Sequence, residues 1–234
     1  KLDGQTHNGT IVDPTDFGMA FQMVAPTGTI HFVNSSETWN MSELYSKTDT
    51  MNYKFGVTFE GNNTTLTDFK FINGVYGYDV VISGFHFNNT DSCVEWKARN
   101  GTIINSSFTS KDHVAFNLTG ENLTVCDSSF TGNGNGALYV DASGLELRNC
   151  TFNNNNISSG VGSHIVLTEN ANNTRIIDSR FINGTNTGVL VNATGVSIVG
   201  SNFTDNTGIN GGALLLSNGT LSMSGNNFTY NKAD

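Results

Sequence analysis

A phenylalanine that recurs about every 22 residues, an alternating apolar pattern ahead of it and an Asn, Asp or Gly three residues before it predict an all-β chain. The fold class they specify is a right-handed parallel β-helix, a three-sheet solenoid with a short N-terminal capping helix. The phenylalanines are Phe87, Phe108, Phe130, Phe152, Phe181, Phe203 and Phe228, with longer gaps before Phe181 and Phe228. Five positions earlier stand Ile82, Ile103, Val125, Leu147, Ile176, Ile198 and Met223. Seven earlier stand Val80, Leu123, Leu145, Val196 and Leu221. A period of two marks a strand with one buried face.

The corner position holds Gly84, Asn105, Asp127, Asn149, Asp178, Gly200 and Gly225. These residue types tolerate a left-handed backbone, so the strand turns sharply there. A small residue follows (Ser106, Ser128, Cys150, Ser179, Ser201), and Asn133, Asn155, Asn206 and Asn231 stand three after their phenylalanines, ahead of turn-forming sequence. A third strand completes each period at Val94/Trp96, Phe116/Leu118, Leu138/Val140, Val189/Val191 and Leu214/Leu216. One turn of chain thus holds three short strands and three corners. Stacked in register, like residues lie above like, and the Phe, Ser and Asn columns become internal ladders. An antiparallel β-sandwich would also give short alternating strands, but it leaves the fixed corner before Ser-x-Phe unexplained.

Residues 1–53 read as an N-terminal cap with a first irregular coil, and residues 54–234 as the repeats. Asp13-Pro14-Thr15-Asp16 is a helix start signal, with Phe17, Ala20, Phe21 and Val24 on one face. Pro26-Thr27-Gly28 stops that helix, and Thr29–Val33 reads as a strand. A helix followed by a strand can cover an open solenoid end, where bare strand edges invite pairing. Residues 36–53 read as irregular, with Trp39, Met41, Leu44 and Tyr45 folding back over the cap. Two loops are long, Asn153–Ser163 and Thr204–Gly212. The start at Lys1 reads as a mature or trimmed piece. The last coil, ending at Asp234 without a capping sequence, is expected to need further repeats or a covering contact.

The chain has 234 residues, only 13% of them charged, and a net charge of −9, which argues against nucleic acid or an anionic membrane as partner. No run approaches the roughly 18 apolar residues of a membrane span. Cys126 and Cys150 are offset within the repeat beyond disulfide reach, and Cys150 stands in the serine column, so a buried free thiol is expected there; Cys93 is the third cysteine. No Cys/His spacing suggests zinc, and neither a metal nor a cofactor is implied.

Asn-x-Ser/Thr sequons are dense. The candidates for glycosylation are Asn8, Asn34, Asn40, Asn62, Asn88, Asn100, Asn122, Asn156, Asn172, Asn183, Asn192 and Asn218. Further sequons stand at Asn63, Asn105, Asn117, Asn149, Asn202 and Asn227, of which Asn149 lies at a tight corner and Asn202 beside a core phenylalanine. The functional reading is a glycosylated, extracellular cell-surface protein. The alternative is that turn chemistry alone places Asn next to Ser and Thr.

Pro26-Thr27-Gly28-Thr29-Ile30-His31-Phe32, at the end of the helix, resembles the N-terminal cap of pectate-lyase-like right-handed β-helix proteins. Gly211-Gly212-Ala213-Leu214 with Phe228-Thr229-Tyr230-Asn231 resembles the repeats of polymorphic outer-membrane proteins, which are also common in adhesin-like surface proteins of methanogenic archaea. Gly136-Ala137-Leu138 and Gly188-Val189-Leu190 are degenerate copies. The resemblance implies a fold and a cell-surface habit, not a reaction.

Enzymes of this architecture need clustered carboxylates that hold Ca²⁺ beside a basic residue, or paired Asp residues for acid/base hydrolysis. Alternation predicts an outward face of Glu95, Lys97, Ala115, Asn117, Ala137, Tyr139, Val166, Thr168, Leu190, Asn192, Ala213 and Leu215, with one acid and one base. The candidate groove residues are Lys111, Asp112 and His113 in the loop before a strand, together with Tyr139 and His164. For Lys111–His113 a solvated turn is the simpler reading, and His164 also reads as a hydrogen-bonding residue between loop and strand. Arg148, Arg175 and Arg180, with Glu146 and Asp178 nearby, read as surface ion pairs of small energetic weight. Tyr139, Val166, Leu190 and Leu215 form an apolar row that can meet sugar rings or a partner protein, or be covered by loops. The leading expectation is a non-catalytic structural or adhesive surface glycoprotein that contacts carbohydrate, a surface protein or copies of itself. The alternative is a carbohydrate-active enzyme or sugar-binding domain using the groove, and a third reading is a filament or sheath subunit.

Overall fold

The computed structural model describes residues 20, 23–33, 38–40, 55–69, 77–89 and 93–234. It is a right-handed parallel β-solenoid of about seven turns. Every strand pairing is parallel. The first stack runs from Thr102–Ile104 through Thr124–Cys126, Glu146–Arg148, Arg175–Ile177 and Val196–Val199 to Leu221–Ser224. The second runs from Ser107–Ser110 through Ser129–Thr131, Thr151–Asn153, Arg180–Ile182 and Asn202–Thr204 to Asn227–Thr229. Thr58–Thr67 and Val81–Asn89 pass unbroken through the corner between them and join the two stacks into one sheet. The third stack is separate: Val94–Trp96, Phe116–Leu118, Leu138–Val140, Ile165–Leu167, Val189–Val191 and Leu214–Leu216.

Register is kept by the columns read from the sequence. Phe87, Phe108, Phe130, Phe152, Phe181, Phe203 and Phe228 stack face to face with centroids 4.6 to 5.0 Å apart. That spacing matches the separation of neighbouring strands, so each ring meets the next without bending the backbone. The corner residues take the left-handed conformation in every coil: Asn105 at φ 48°, Asp127 at 49°, Asn149 at 51° and Asp178 at 49°, with glycines in the other copies. Two further left-handed columns complete the coil, one through Asn100 and Asn122, the other through Asn154, Asn183 and Asp205.

Inside the corner, each serine hydroxyl accepts from the coil before and donates to its own strand. Ser128 Oγ accepts from Ser106 N–H at 3.1 Å and donates to the Cys126 carbonyl at 2.7 Å. Ser179 repeats this with Cys150 N–H and the Ile177 carbonyl. The asparagine column is bonded from coil to coil as well. Asn133 Nδ2 donates to Asn155 Oδ1 at 2.8 Å, and Asn206 Nδ2 to Asn231 Oδ1 at 2.9 Å. Their amides also cap carbonyls of the coil beneath, as Asn155 does for Phe130 and Asn231 for Phe203. The polar atoms of these serine and asparagine columns are thus satisfied along the stack.

At the N-terminal side, most of the expected capping helix, including Asp13–Phe17 and Phe21, lies outside the described residues. Ala20 and Met23 are helical, and Val24 N–H donates to the Ala20 carbonyl at 2.9 Å. Thr29–His31 pairs with Thr58, Phe59 and Glu60 as an expected strand. Thr38–Asn40 differs from the irregular reading: it is a strand paired with Thr65, Leu66 and Thr67. Trp39 in it packs edge-on against Phe32 at 5.4 Å, so tertiary contact overrides a sequence without clear alternation. Met41, Leu44 and Tyr45 lie outside the described residues. Cys126 and Cys150 are free thiols, and Cys150 is buried as its place in the serine column requires.

Candidate functional site

The third sheet presents a single row of outward residues. Glu95, Asn117, Tyr139, Val166, Leu190 and Leu215 are stacked in register, one per coil. Their strand neighbours on either side, such as Leu138 and Val140 around Tyr139, are buried in the core. Tyr139 is 39% exposed and is the one aromatic side chain of the row. Glu95 carries the row's one carboxylate, and it lies 3.6 Å from Lys97 Nζ.

Alternation placed Ala115, Ala137 and Ala213 on the same face, and the structure corrects this, because all three are buried. They sit where the chain enters the strand, and there the backbone still bonds to the next coil: Ala115 N–H donates to the Gly136 carbonyl and Ala137 N–H to the Ser163 carbonyl. The outward surface is therefore narrower than strict alternation suggests. Its apolar part is partly roofed. Gly162, at the end of the long Asn153–Ser163 loop, lies so close that a Cβ there would come within 2.8 Å of Val166 Cγ2 and 3.2 Å of Leu190 Cβ.

Lys111, Asp112 and His113 occupy an exposed bend between Ser107–Ser110 and Phe116–Leu118. None of the three side chains makes a hydrogen bond or ion pair to a described residue. They precede the strand that carries Asn117, the coil neighbour of Tyr139. Lys111–His113 thus lie in the bend leading into the strand of Asn117, and Tyr139 lies in the strand of the next coil.

His164 does not belong to this group. Its side chain is fully buried inside the coil, which corrects its place among the groove residues. Asn155 Nδ2 lies 3.0 Å from its Nδ1, and Asn206 Oδ1 lies 2.9 Å from its Nε2. Burial lowers its pKa from 6.5 to about 4. It is thus a link in the asparagine column, the hydrogen-bonding role that was the other reading. The signal that could have found it is Gly184, the one column position after Phe152 where no asparagine stands.

A charge cluster lies on another face. Glu146, on the first sheet, receives Arg148 at 2.6 Å and Arg175 at 2.7 Å. Hydrogen bonding to Glu146 raises the Arg148 pKa. No group of three or more His, Cys, Asp or Glu side chains among the described residues is placed to hold a metal ion. The row therefore offers one carboxylate already tied to a lysine, a phenol, one amide and aliphatic surface. That is a surface able to hold a ligand by stacking, hydrogen bonding and apolar contact.

Of the sequon asparagines, Asn40, Asn62, Asn88, Asn100, Asn122, Asn156, Asn183 and Asn218 are exposed, Asn172 and Asn192 are partly buried, and Asn8 and Asn34 lie outside the described residues. Several are bonded to a neighbour in the adjacent coil, as Asn122 Nδ2 is to Asn100 Oδ1 at 3.2 Å and Asn183 Nδ2 to Asn154 Oδ1 at 3.1 Å. Asn149 and Asn202, set aside for their positions, are also exposed. No described helix is long and apolar enough to cross a membrane.

Comparison with known proteins follows the architecture. The family described as "Right handed beta helix region" matches residues 83–234. No curated protein matches the chain. Among solved structures, a rhamnogalacturonan lyase is similar with TM-score 0.46 and 13% identity, over 87% of this chain and 67% of that one. The pectate lyase Pel9A is similar with TM-score 0.42 and 14% identity, over 96% of this chain and 77% of that one. The catalytic unit of a GH87 α-1,3-glucanase from Streptomyces thermodiastaticus gives TM-score 0.27 and 10% identity, over 86% and 62%.

Proposed function

We propose, for a chain that belongs to the right-handed β-helix family, a non-catalytic role as a structural or adhesive protein at the cell surface. The rigid coil presents the outward row of the third sheet and its flanking loops to carbohydrate or to a surface protein. The observation that carries this reading is the chemistry of the row. A glycosidase or lyase needs two free carboxylates, or a metal held by several, beside the scissile bond. Here Glu95 is the one acid of the central row, 3.6 Å from Lys97 Nζ, and Asp141, one step beyond the row, already accepts from Thr168 Oγ1 and Asn170 Nδ2. Tyr139 is the natural anchor for a sugar ring, since an exposed aromatic face stacks on the apolar side of a pyranose. Tyr139→Ala is expected to weaken retention on a polysaccharide or glycan array about tenfold, with no turnover of any polysaccharide by the parent chain. Cleavage by the parent chain that disappears in Asp112→Ala or His113→Ala would overturn the non-catalytic reading.

A second reading, a carbohydrate-active enzyme, is favoured by one observation: Lys111, Asp112 and His113 stand exposed and unengaged in the bend that leads into the third sheet. The same variants decide it. An extracellular place and N-glycans on exposed asparagines such as Asn100, Asn156 and Asn218 belong to the leading reading. Intact mass before and after enzymatic deglycosylation tests both, and an unchanged mass on material from the native host removes the glycans from the proposal.

A further inference from the structure

The asparagine column is interrupted at Gly184, and His164, just past the end of the Asn153–Ser163 loop, fills the gap. A Cβ on residue 184 would lie 2.5 Å from His164 Nε2, so the ring occupies the space that an asparagine side chain would need. The orientations of the flanking amides are fixed by their other bonds. Asn155 Oδ1 accepts both the backbone N–H and Nδ2 of Asn133, so its Nδ2 is the group facing His164 Nδ1. Asn206 Nδ2 is given to the Phe181 carbonyl and to Asn231, so its Oδ1 is the group facing His164 Nε2. Only the neutral ring with its proton on Nε2 satisfies both partners. A second proton, on Nδ1, would point at the Asn155 amide N–H. The ring lies against Phe152 and Phe181, at 6.1 and 5.9 Å. The neighbouring elements bring amides, the Ser163 hydroxyl, glycines and these two rings against it. No carboxylate or other charged group bonds to it among the described residues.

We propose that His164 is an acid sensor built into the ladder: its protonation breaks the Asn155–His164–Asn206 bridge and frees the end of the Asn153–Ser163 loop from the outward row. The coupling is through the backbone. Ser163 N–H donates to the Thr187 carbonyl and His164 N–H to the Gly188 carbonyl, both at 2.8 Å, and Gly162 is the residue that roofs Val166 and Leu190. A ring that must leave its slot pulls on the two residues holding the loop down. In the opened state the imidazole regains water and its ordinary basicity, so acid favours opening. That opening also uncovers the ligand-binding row rests on the function proposed above; the sensor itself does not.

The test is hydrogen exchange of the intact chain, read by mass spectrometry at about pH 7.5 and about pH 4.5 and corrected for intrinsic rates. Protection in 156–165 and 184–188 is expected to fall on the order of 10²-fold at the lower pH, relative to unchanged protection in 101–152. His164→Gln, which does not titrate, is expected to keep its protection ratio at both values. If that variant does not fold, His164→Ala combined with Gly184→Asn, which returns an amide to the column, carries the same expectation. Equal loss in all segments, or acid-dependent loss that persists in the non-titrating variant, overturns the sensor. Selective opening with no carbohydrate retained at either pH supports the sensor and removes only the binding role of the row.

Discussion

At residue 184 a side chain is missing, and the imidazole of His164 takes up its volume and its hydrogen bonds. The pair therefore behaves as one unit. Gly184→Asn alone is expected to destabilise by about 1–3 kcal/mol, since its Cβ meets the ring and Ser163 Oγ at 2.5 and 2.6 Å. Combined with His164→Ala the same substitution is expected to recover at least about 1 kcal/mol, because the new amide can join the column; strict additivity in a urea-denaturation cycle would reject this. The titration of His164 has a definite sign. Its pKa is about 4 in the fold against 6.5 otherwise, so above pH 6.5 its contribution to stability is complete. As pH falls from 6.5 towards 4 the unfolded chain binds a proton that the folded chain refuses, and stability declines by about 3 kcal/mol. The difference in unfolding free energy between the parent chain and His164→Gln, followed across that range, isolates this part from the carboxylates. Cys150 offers a contrasting case. Burial pushes its thiol up to about 11, and its column is serine in the adjoining coils, so Cys150→Ser is expected to cost less than about 1 kcal/mol. In the folded chain a thiol reagent is expected to modify Cys126, which is partly exposed, before Cys150.

The strands and corners are elements whose causes are local, which is why they were legible. A period-two apolar pattern names a buried face, and an Asn, Asp or Gly at a fixed offset names a left-handed turn. Both are properties of a few adjacent residues. Thr38–Asn40 escaped for the opposite reason: its place is set by Leu66 in the pairing strand and by Phe32 against Trp39. The same division runs through the candidate site. Tyr139, Val166 and Leu190 follow from alternation, whereas the burial of Ala137 and the roofing by Gly162 depend on where a loop of the next coil returns. His164 could be located only by comparing columns, since nothing beside it in sequence distinguishes an inward ring from an outward one. Among the elements themselves the phenylalanine ladder is the chief apolar support. Phe152 is stacked on both faces and fully buried, so Phe152→Ala is expected to cost about 3–5 kcal/mol. Phe228, stacked on one face and 46% exposed, is expected to cost less than half as much; equal losses in thermal or urea unfolding would mean that the stack is not what stabilises the coil.

For the whole molecule, stability is a sum over coils and their contacts with neighbours, and opening spreads along the axis. The described coil at 213–234 leaves Leu216, Met223 and Phe228 exposed where Val191, Ile198 and Phe203 in the coil beneath are buried. Within residues 101–234, exchange protection is therefore expected to be lowest over 214–234 and highest over 123–152; uniform protection there would show that these coils unfold as a single block. The regular register has a consequence for how such a gene can change. Most coils present the same faces upward and downward, so unequal crossing-over that adds or removes one period yields a chain whose seams still match. A copy of residues 111–133 inserted after Asn133 should therefore melt within a few degrees of the parent. Between Asn155 and Asn206 that freedom is lost. His164 needs a particular amide on each side, so a recombination junction in this interval parts it from one of them, and the histidine marks a stretch that must be inherited whole.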